Sequence, residues 1–280
     1  MLGYFVKVFY ICYISSLING GIPVATTNVL EQPYINITNI IWSFDHATNQ
    51  VNILLVKRDN APYRNFWALP ETFMRFQESA DDAALRLVKE KIGMELSDSH
   101  TEQLATFTNK LRTPGSRALS LAYMTFLPDK PELKAGYGAA DARWFAMGYT
   151  EQRYRFSNGN LSFETARDVS ETTYYEQFAT NQAHPDQHLA YDHEWILKIA
   201  CDRIRNKLDY QPNILLVLGA TFTLKDARLV YSPFLKTPVN EIDNSNFKKS
   251  HRKLFTDIGT TAAKRPGRPA RLYKLAYIGA

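Results

Sequence analysis

The stretch from Trp67 to Met94, WALPETFMRFQESADDAALRLVKEKIGM, constrains this chain more than any other. An apolar approach ends at Pro70, a polar loop follows, and then an amphipathic helix. Ser79 is a good N-cap. Asp82 stands three residues on, at the capping-box position, and Asp81 adds a second acid to a first turn where the helix dipole favours negative charge. Ala80, Ala83, Ala84, Leu87, Val88 and Ile92 recur at helical spacing and make one apolar face. Gly93 is placed to stop the helix.

The layout resembles the Nudix box: Gly, five residues, Glu, seven residues, then Arg-Glu-aliphatic-any-Glu-Glu-any-Gly-aliphatic. Glu78, Arg86, Val88, Glu90, Gly93 and Met94 stand at the matching spacings. The departures are Thr72 at the box glycine, Leu87 for the glutamate after the arginine, and Lys91 for the second of the paired glutamates. A divalent cation on this helix needs several carboxylates converging on one face. Only Glu90 remains, with an ammonium beside it. Glu78 and Arg86 are read as a structural pair tying loop to helix. The resemblance therefore implies a retained fold, with Glu78, Arg86 and Glu90 as the residue of a hydrolytic site and no catalytic residue assigned. A solvated helix glutamate is an equal reading of Glu90. No cofactor is required on this reading, and Mg²⁺ enters only if the chain is a hydrolase.

The length of 280 residues suggests two domains, and the aromatic and apolar content is ample for cores. Cys12 and Cys201 are far apart, which fits a reducing compartment, expected cytoplasmic, and argues against a disulfide framework. No HExxH occurs; His184 and His188 are four apart, but Pro185 between them argues against a helical metal pair. The net charge of +5 hides an asymmetry. Gln211–Ala280 carries 12 Lys+Arg against 4 Asp+Glu, and the rest 21 against 24. A basic tail on a mildly acidic body points to an anionic partner.

The first 22 residues are apolar but short, and Lys7 interrupts them. They are read as an upstream extension or an over-called start, ahead of a membrane anchor or signal, or an added strand or helix. Ile35–Phe44 and Val51–Arg58 are two β-rich runs; Gln103–Asn109, Ala118–Leu127 and Ala142–Met147 are further strands. Between them lies LRTPGSR, 111–117, similar to a Nudix loop before a core strand. Arg112 and Arg117 there are able to hold a phosphate, or are simply solvated. YRFSNGNLSF has an Asn-Gly turn between alternating runs and is read as a hairpin within a polar insertion, about 149–187. Leu189–Tyr210 is read as one long amphipathic helix. His193, after Asp192, is read as packing or capping at the helix start rather than as a base, because no nucleophile or metal cluster accompanies it.

The tail, 211–280, has its own pattern. Thr223 is a plausible N-cap, Asp226 completes a capping box, and LKDARLVYSPFL is a first helix. A second is expected from about Asp243–Ser245 to Phe255, with Phe247, Leu254 and Phe255 inward and Lys248, Lys249, His251, Arg252 and Lys253 outward. A basic turn then leads into a strand, Ala270–Ile278. Two helices and a basic hairpin outline a winged helix-turn-helix. The DNA-binding candidates are Asn246, Lys248, Lys249, His251 and Arg252 on the helix, and Lys264, Arg265, Arg268 and Arg271 on the wing.

Both halves together resemble the Nudix-related transcriptional regulators of bacteria. The resemblance rests on WALP (67–70), LAYDH (189–193), NFKK (246–249) and GRPARLYK (267–274). It implies a Nudix-like α/β/α sandwich over 33–210, after an extension at 1–32, followed by a winged helix. It also implies a homodimer on a pseudo-palindromic double-stranded DNA operator, no membrane, and a nucleotide effector such as ADP-ribose, or a sugar. The regulated genes would serve NAD or sugar metabolism, most simply under repression. Arg58, Trp67, Glu90, Arg112 and Arg117 are the candidate effector-binding residues. The alternative is an active Nudix hydrolase of the ADP-ribose pyrophosphatase type; a nucleotide-binding scaffold with an RNA-contacting tail lacks the usual exposed-aromatic motifs.

Overall fold

The two β-rich runs pair first: Tyr34–Asp45 (β1) lies antiparallel to Gln50–Arg58 (β2), Trp42 opposite Ile53 and Phe44 opposite Val51. These positions come from a computed structural model of the protein, which describes residues 32–92, 100–128, 130–133, 139–178, 184–261 and 269–277. Side chains alternate across a strand. In β1, Ile37 and Ile41 therefore face one side, and Ile40, Trp42 and Phe44 the other. Both sides are covered, so nearly every β1 residue is buried rather than every second one.

The remaining strands are Trp67–Ala68 (β3), Glu71–Phe73 (β4), Thr101–Phe107 (β5), Ala118–Leu127 (β6), Ala139–Tyr149 (β7), Tyr154–Asn158 (β8) and Leu161–Glu164 (β9). The main sheet runs β5-β6-β1-β2-β7-β8-β9, with β3 on β2 and β4 on β1. Only β1 and β6 are parallel in it, from Tyr34–Ala118 to Ser43–Leu127. One face carries Ala80–Ile92 (α1), whose Ala83 and Ala84 pack on Ile37 and Tyr123, and Val88 on Ile41, Leu54 and Leu127. The other carries His193–Lys207 (α3), with Ile196, Ala200 and Ile204 in the core. This is the expected α/β/α sandwich.

The hairpin expected within 149–187 is present as β8 and β9, and β8 also pairs with β7 and buries Tyr154 and Phe156. The same segment also contains a short helix, Glu171–Phe178 (α2), that periodicity did not reveal. The helix expected from Leu189 starts only at His193. Leu189 bridges to Trp67, and Tyr191 takes a left-handed φ of 53°, which no helix accommodates.

The tail opens with a 3₁₀ turn, Asn213–Leu218, then Leu224–Leu235 (α4) and Asn244–Ser250 (α5). The α4 capping box is present: the Asp226 N–H donates to Thr223 Oγ1 and the Thr223 N–H to Asp226 Oδ2. Asp243 caps α5 by accepting from the Asn246 N–H at 2.7 Å. The α5 helix ends before Phe255, against expectation. Phe255 instead opens a strand, Phe255–Thr260 (β10), antiparallel to Arg271–Leu275 (β11). The hydrophobic core continues across residue 210. Phe234 of α4 packs on Trp42 of the sheet at 5.5 Å between ring centroids, and Tyr154 Oη donates to the Phe234 carbonyl at 3.1 Å. Expectations for 1–22, Gly93, Met94, Lys264, Arg265 and Arg268 fall outside the described residues. Among the described residues no helix is long and apolar enough to cross a membrane.

Candidate functional site

The loop before α1 and its first turns form one network. Ser79 and Asp82 make the reciprocal cap, Asp82 N–H to Ser79 Oγ at 3.1 Å and Ser79 N–H to Asp82 Oδ2 at 3.2 Å. Arg86 donates to Glu78 through Nε (2.9 Å) and Nη2 (2.7 Å), a fork-to-carboxylate geometry. Its Nη1 reaches Thr72 Oγ1 at 3.2 Å and Glu90 Oε2 at 3.0 Å. The Arg86 guanidinium holds the Glu78 carboxyl down at about 2. Glu78 and Arg86 are thus the structural pair expected, and Thr72 at the box-glycine position has become a third partner.

Glu90 has both oxygens engaged, Oε1 by Arg75 at 3.1 Å and Oε2 by Arg86. Leu87 is fully buried, and Lys91 is half-buried with its ammonium pushed below the ordinary range by that burial. Among the described residues no cluster of three or more His, Cys, Asp or Glu is placed to hold a metal ion. The donor set on α1 does not fit a divalent cation. Asp81 accepts from the Tyr123 hydroxyl and Asp82 serves the cap. The remaining carboxylate, Glu90, is held by two guanidinium groups with a cation at the next residue.

Of the effector candidates, Arg58 lies against two residues that line cavities, Glu71 and Tyr191. Its Nη1 contacts Glu71 Oε1 at 2.5 Å, and its guanidinium lies 4.8 Å from the Tyr191 ring centroid. Glu71 also accepts from Asn36 at 2.7 Å and has His193 Nε2 at 3.7 Å. Burial works against the charged Glu71, but His193, Arg58 and Asn36 outweigh it and hold its carboxyl at about 2. Burial, helped by Glu71, pushes the Tyr191 hydroxyl up to about 12. Asn36, Glu71, Thr113 and Tyr191 line a cavity of about 260 Å³. A second, of about 300 Å³, lies on the other side of Tyr191, lined by Tyr63, Tyr174, Phe178, Arg153 and Arg167 among others.

Two candidates are deeply buried, although Arg112 also borders the 260 Å³ cavity. Trp67 is 2 % exposed, packed edge-on against Phe145 with Arg143 over its ring, and offers no surface to a ligand. Arg112 is 1 % exposed and spends its fork on Asp192, at 3.0 Å from both Nε and Nη2. Arg117, by contrast, is exposed, and its Nη2 reaches only the Thr108 carbonyl at 3.5 Å. His193 is buried, its Nδ1 accepting from the Leu69 N–H at 3.0 Å, a packing role as expected; Asp192 makes no side-chain cap. Sequence reasoning missed Asn36, Glu71, Tyr63 and Tyr191. Only Tyr191 carried a signal, its place inside the LAYDH marker.

On the tail, Asn246, Lys248, Lys249, Arg252 and Arg271 are exposed. His251 is not. It is 4 % exposed, stacked between Phe247 (4.3 Å) and Phe255 (5.2 Å), with Nδ1 at 2.9 Å from the Phe247 carbonyl. It therefore anchors α5 from below and does not join the outward cations. Arg271 is paired with Asp257 at 2.6 Å across the β10–β11 ladder.

Comparison with known proteins agrees with this architecture. Residues 38–160 match the NUDIX domain and residues 214–275 the NrtR DNA-binding winged helix domain. The ADPR responsive transcriptional repressor NtrR of Acinetobacter baylyi is 24% identical over 251 residues, 87% of this chain and 82% of the relative. The crystal structure of a MutT/nudix family protein from Enterococcus faecalis superposes with a TM-score of 0.74 and 30% identity, over 88% of this chain and 89% of that one. Shewanella oneidensis NrtR superposes with a TM-score of 0.59 and 23% identity, over 86% of this chain and 94% of that one. The same protein complexed with a 27mer DNA gives 0.58 and 21%, over 86% and 93%. The chain therefore belongs to the Nudix family, a Nudix domain followed by a winged helix domain of the NrtR type.

Proposed function

We propose that the protein is a ligand-responsive transcriptional repressor. Its winged helix binds double-stranded DNA, and its Nudix domain binds a nucleotide-type effector such as ADP-ribose that releases the DNA. The observation that carries this reading is the outward face of α5. Asn246, Lys248 and Lys249 are exposed there, while Phe247 and His251 pin the helix to its core. A short helix held rigidly with cations outward suits a major groove, where lysines meet phosphates and an asparagine can read a base edge. The Acinetobacter relative is described as ADPR-responsive and a repressor, and the Shewanella NrtR has been crystallised on a 27mer DNA. The hydrolase alternative is disfavoured by α1, where Leu87 and Lys91 stand at two of the box-glutamate positions.

The proposal includes a homodimer reading two half-sites one helical turn apart, and regulated genes of NAD or sugar metabolism. The protein is expected to act in the cytoplasm. Selection of bound duplexes from a random pool tests the DNA half. A recovered pseudo-palindrome supports the reading, and failure to enrich any sequence ends it. Anisotropy titration of that duplex with ADP-ribose and with pentoses then identifies the effector class. A duplex that neither releases leaves a DNA-binding protein without this effector.

A further inference from the structure

The cavity of about 300 Å³ shares Tyr191 with the Glu71 cavity, and none of its other lining residues lies on α1. Two aromatic groups line it. Tyr174 and Phe178 come from α2, and with Trp195 of α3 they form a ladder with centroid separations of 5.0 and 5.7 Å and interplanar angles of 24° and 27°. Tyr63 and Tyr191 come from separate loops and meet at 4.7 Å. Both hold a left-handed backbone, φ 64° and 53°, which a tyrosine adopts only at a cost.

The charges at the cavity are specific as well. Arg153 pairs with Glu164, and His188 with Glu194 at 3.0 Å. Arg167 is exposed and has no acidic partner among the described residues. The volume lies at the small end for ligand cavities, which run about 300–1,000 Å³. That is room for one planar ring system with a short substituent, not for a whole dinucleotide. Tyr174 is stacked by Trp195 and Phe178, and Tyr191 has Tyr63 and the Arg58 guanidinium against it. Phe178, at the end of the ladder, is therefore the ring placed to stack on a planar π-system, and a guanidinium without an acidic partner selects an anion beside it.

We propose that this cavity, lined by Tyr63, Tyr174, Phe178 and Tyr191 with Arg167 at its wall, binds the base end of a nucleotide, the Arg167 guanidinium meeting the attached phosphate. The proposal rests on the effector reading above and assigns the ring end of that effector to the α2 region rather than to the Nudix-box helix. It separates nucleotide effectors from bare sugars, because a pentose has no ring face to stack.

The test uses the full chain and calorimetric titration with AMP, adenosine and ribose 5-phosphate. AMP is expected to bind, and ribose 5-phosphate at least ten-fold more weakly. Phe178→Ala is expected to weaken AMP by roughly ten-fold, the order for losing one stacked ring. Arg167→Ala is expected to weaken AMP several-fold while leaving adenosine unchanged. Because Phe178→Ala removes part of a packed ladder, Phe178→Leu is run beside it, and circular dichroism checks both for folding. If ADP-ribose releases DNA but Arg167→Ala and both Phe178 variants leave AMP and ADP-ribose affinity unchanged, the effector reading survives and this cavity is not its ring site. If ribose 5-phosphate binds as well as AMP, the cavity does not read a base. If no nucleotide binds and none releases DNA, both readings fall.

Discussion

Arg112 and Asp192, eighty residues apart in sequence, form a buried ion pair with two parallel hydrogen bonds of 3.0 Å. Tyr175 donates its hydroxyl to the same carboxylate at 2.6 Å. One guanidinium thereby ties the loop before β6 to the start of α3, with a residue of α2 closing the group. Burying such a pair contributes little net stability, but removing one partner leaves the other charged and unmatched.

Arg112→Ala is therefore expected to destabilise the fold by about 3–5 kcal/mol. Arg112→Lys is expected to recover only part of that, because an ammonium cannot form the fork. Chemical denaturation of the two variants measures both. A loss under about 1 kcal/mol for Arg112→Ala would mean that Asp192 finds water or a proton at little cost.

Glu78 titrates abnormally, and the sign follows from its partner. Arg86 holds its carboxyl at about 2, below the ordinary 4.5. The pair therefore contributes fully above pH 4.5 and is lost as pH falls toward 2. The contribution is about 1 kcal/mol, since solvent reaches the pair. Glu78→Gln is expected to flatten the acid limb of the stability–pH curve in that window and leave neutral stability lower. An unchanged acid limb would remove Glu78 from the linkage.

Lys248→Ala and Lys249→Ala are expected to weaken DNA binding and to lower the slope of log K against log salt by about one counterion for each phosphate no longer neutralised. His251→Ala is expected to act differently, costing about 2–4 kcal/mol of stability through the emptied stack beneath α5. Salt-dependent anisotropy and thermal melting, run side by side, separate the two. A His251→Ala protein as stable as the parent would return that side chain to the surface.

Hydrolysis is the sharpest check on α1. With Mg²⁺ or Mn²⁺ over nucleoside diphosphate derivatives, no turnover above buffer is expected, because both Glu90 oxygens are already held by guanidinium groups. Metal-dependent AMP release that disappears in Glu90→Gln would establish the hydrolase.

Phe234 joins the tail to the sheet, against Trp42 and beside Tyr154. Phe234→Ala is expected to cost about 3–5 kcal/mol and to lower one shared melting transition. Two resolved transitions in the parent would show domains that unfold separately.

Local patterns were legible because their causes are local. The α1 and α4 caps, the apolar face of α1 and the β1–β2 pair all follow from spacing within about a dozen residues. The degenerate box was legible too, because replacing a carboxylate with Leu87 or Lys91 changes chemistry wherever the chain goes. The extent of α5 and the start of α3 were not. Phe255 was drawn into a ladder with Leu275, and Tyr191 into a left-handed turn, by partners distant in sequence.

The sequence by itself determined the class of fold, the replacement of box glutamates by Leu87 and Lys91, and the presence of a basic tail module. Only the tertiary structure decided which arginines remain free. Arg112 and Arg117 stand five residues apart with the same chemistry, yet one is matched to Asp192 in the interior and the other left in solvent. The physical reason is that a guanidinium's role is set by the nearest carboxylate in space, and that neighbour is eighty residues away along the chain.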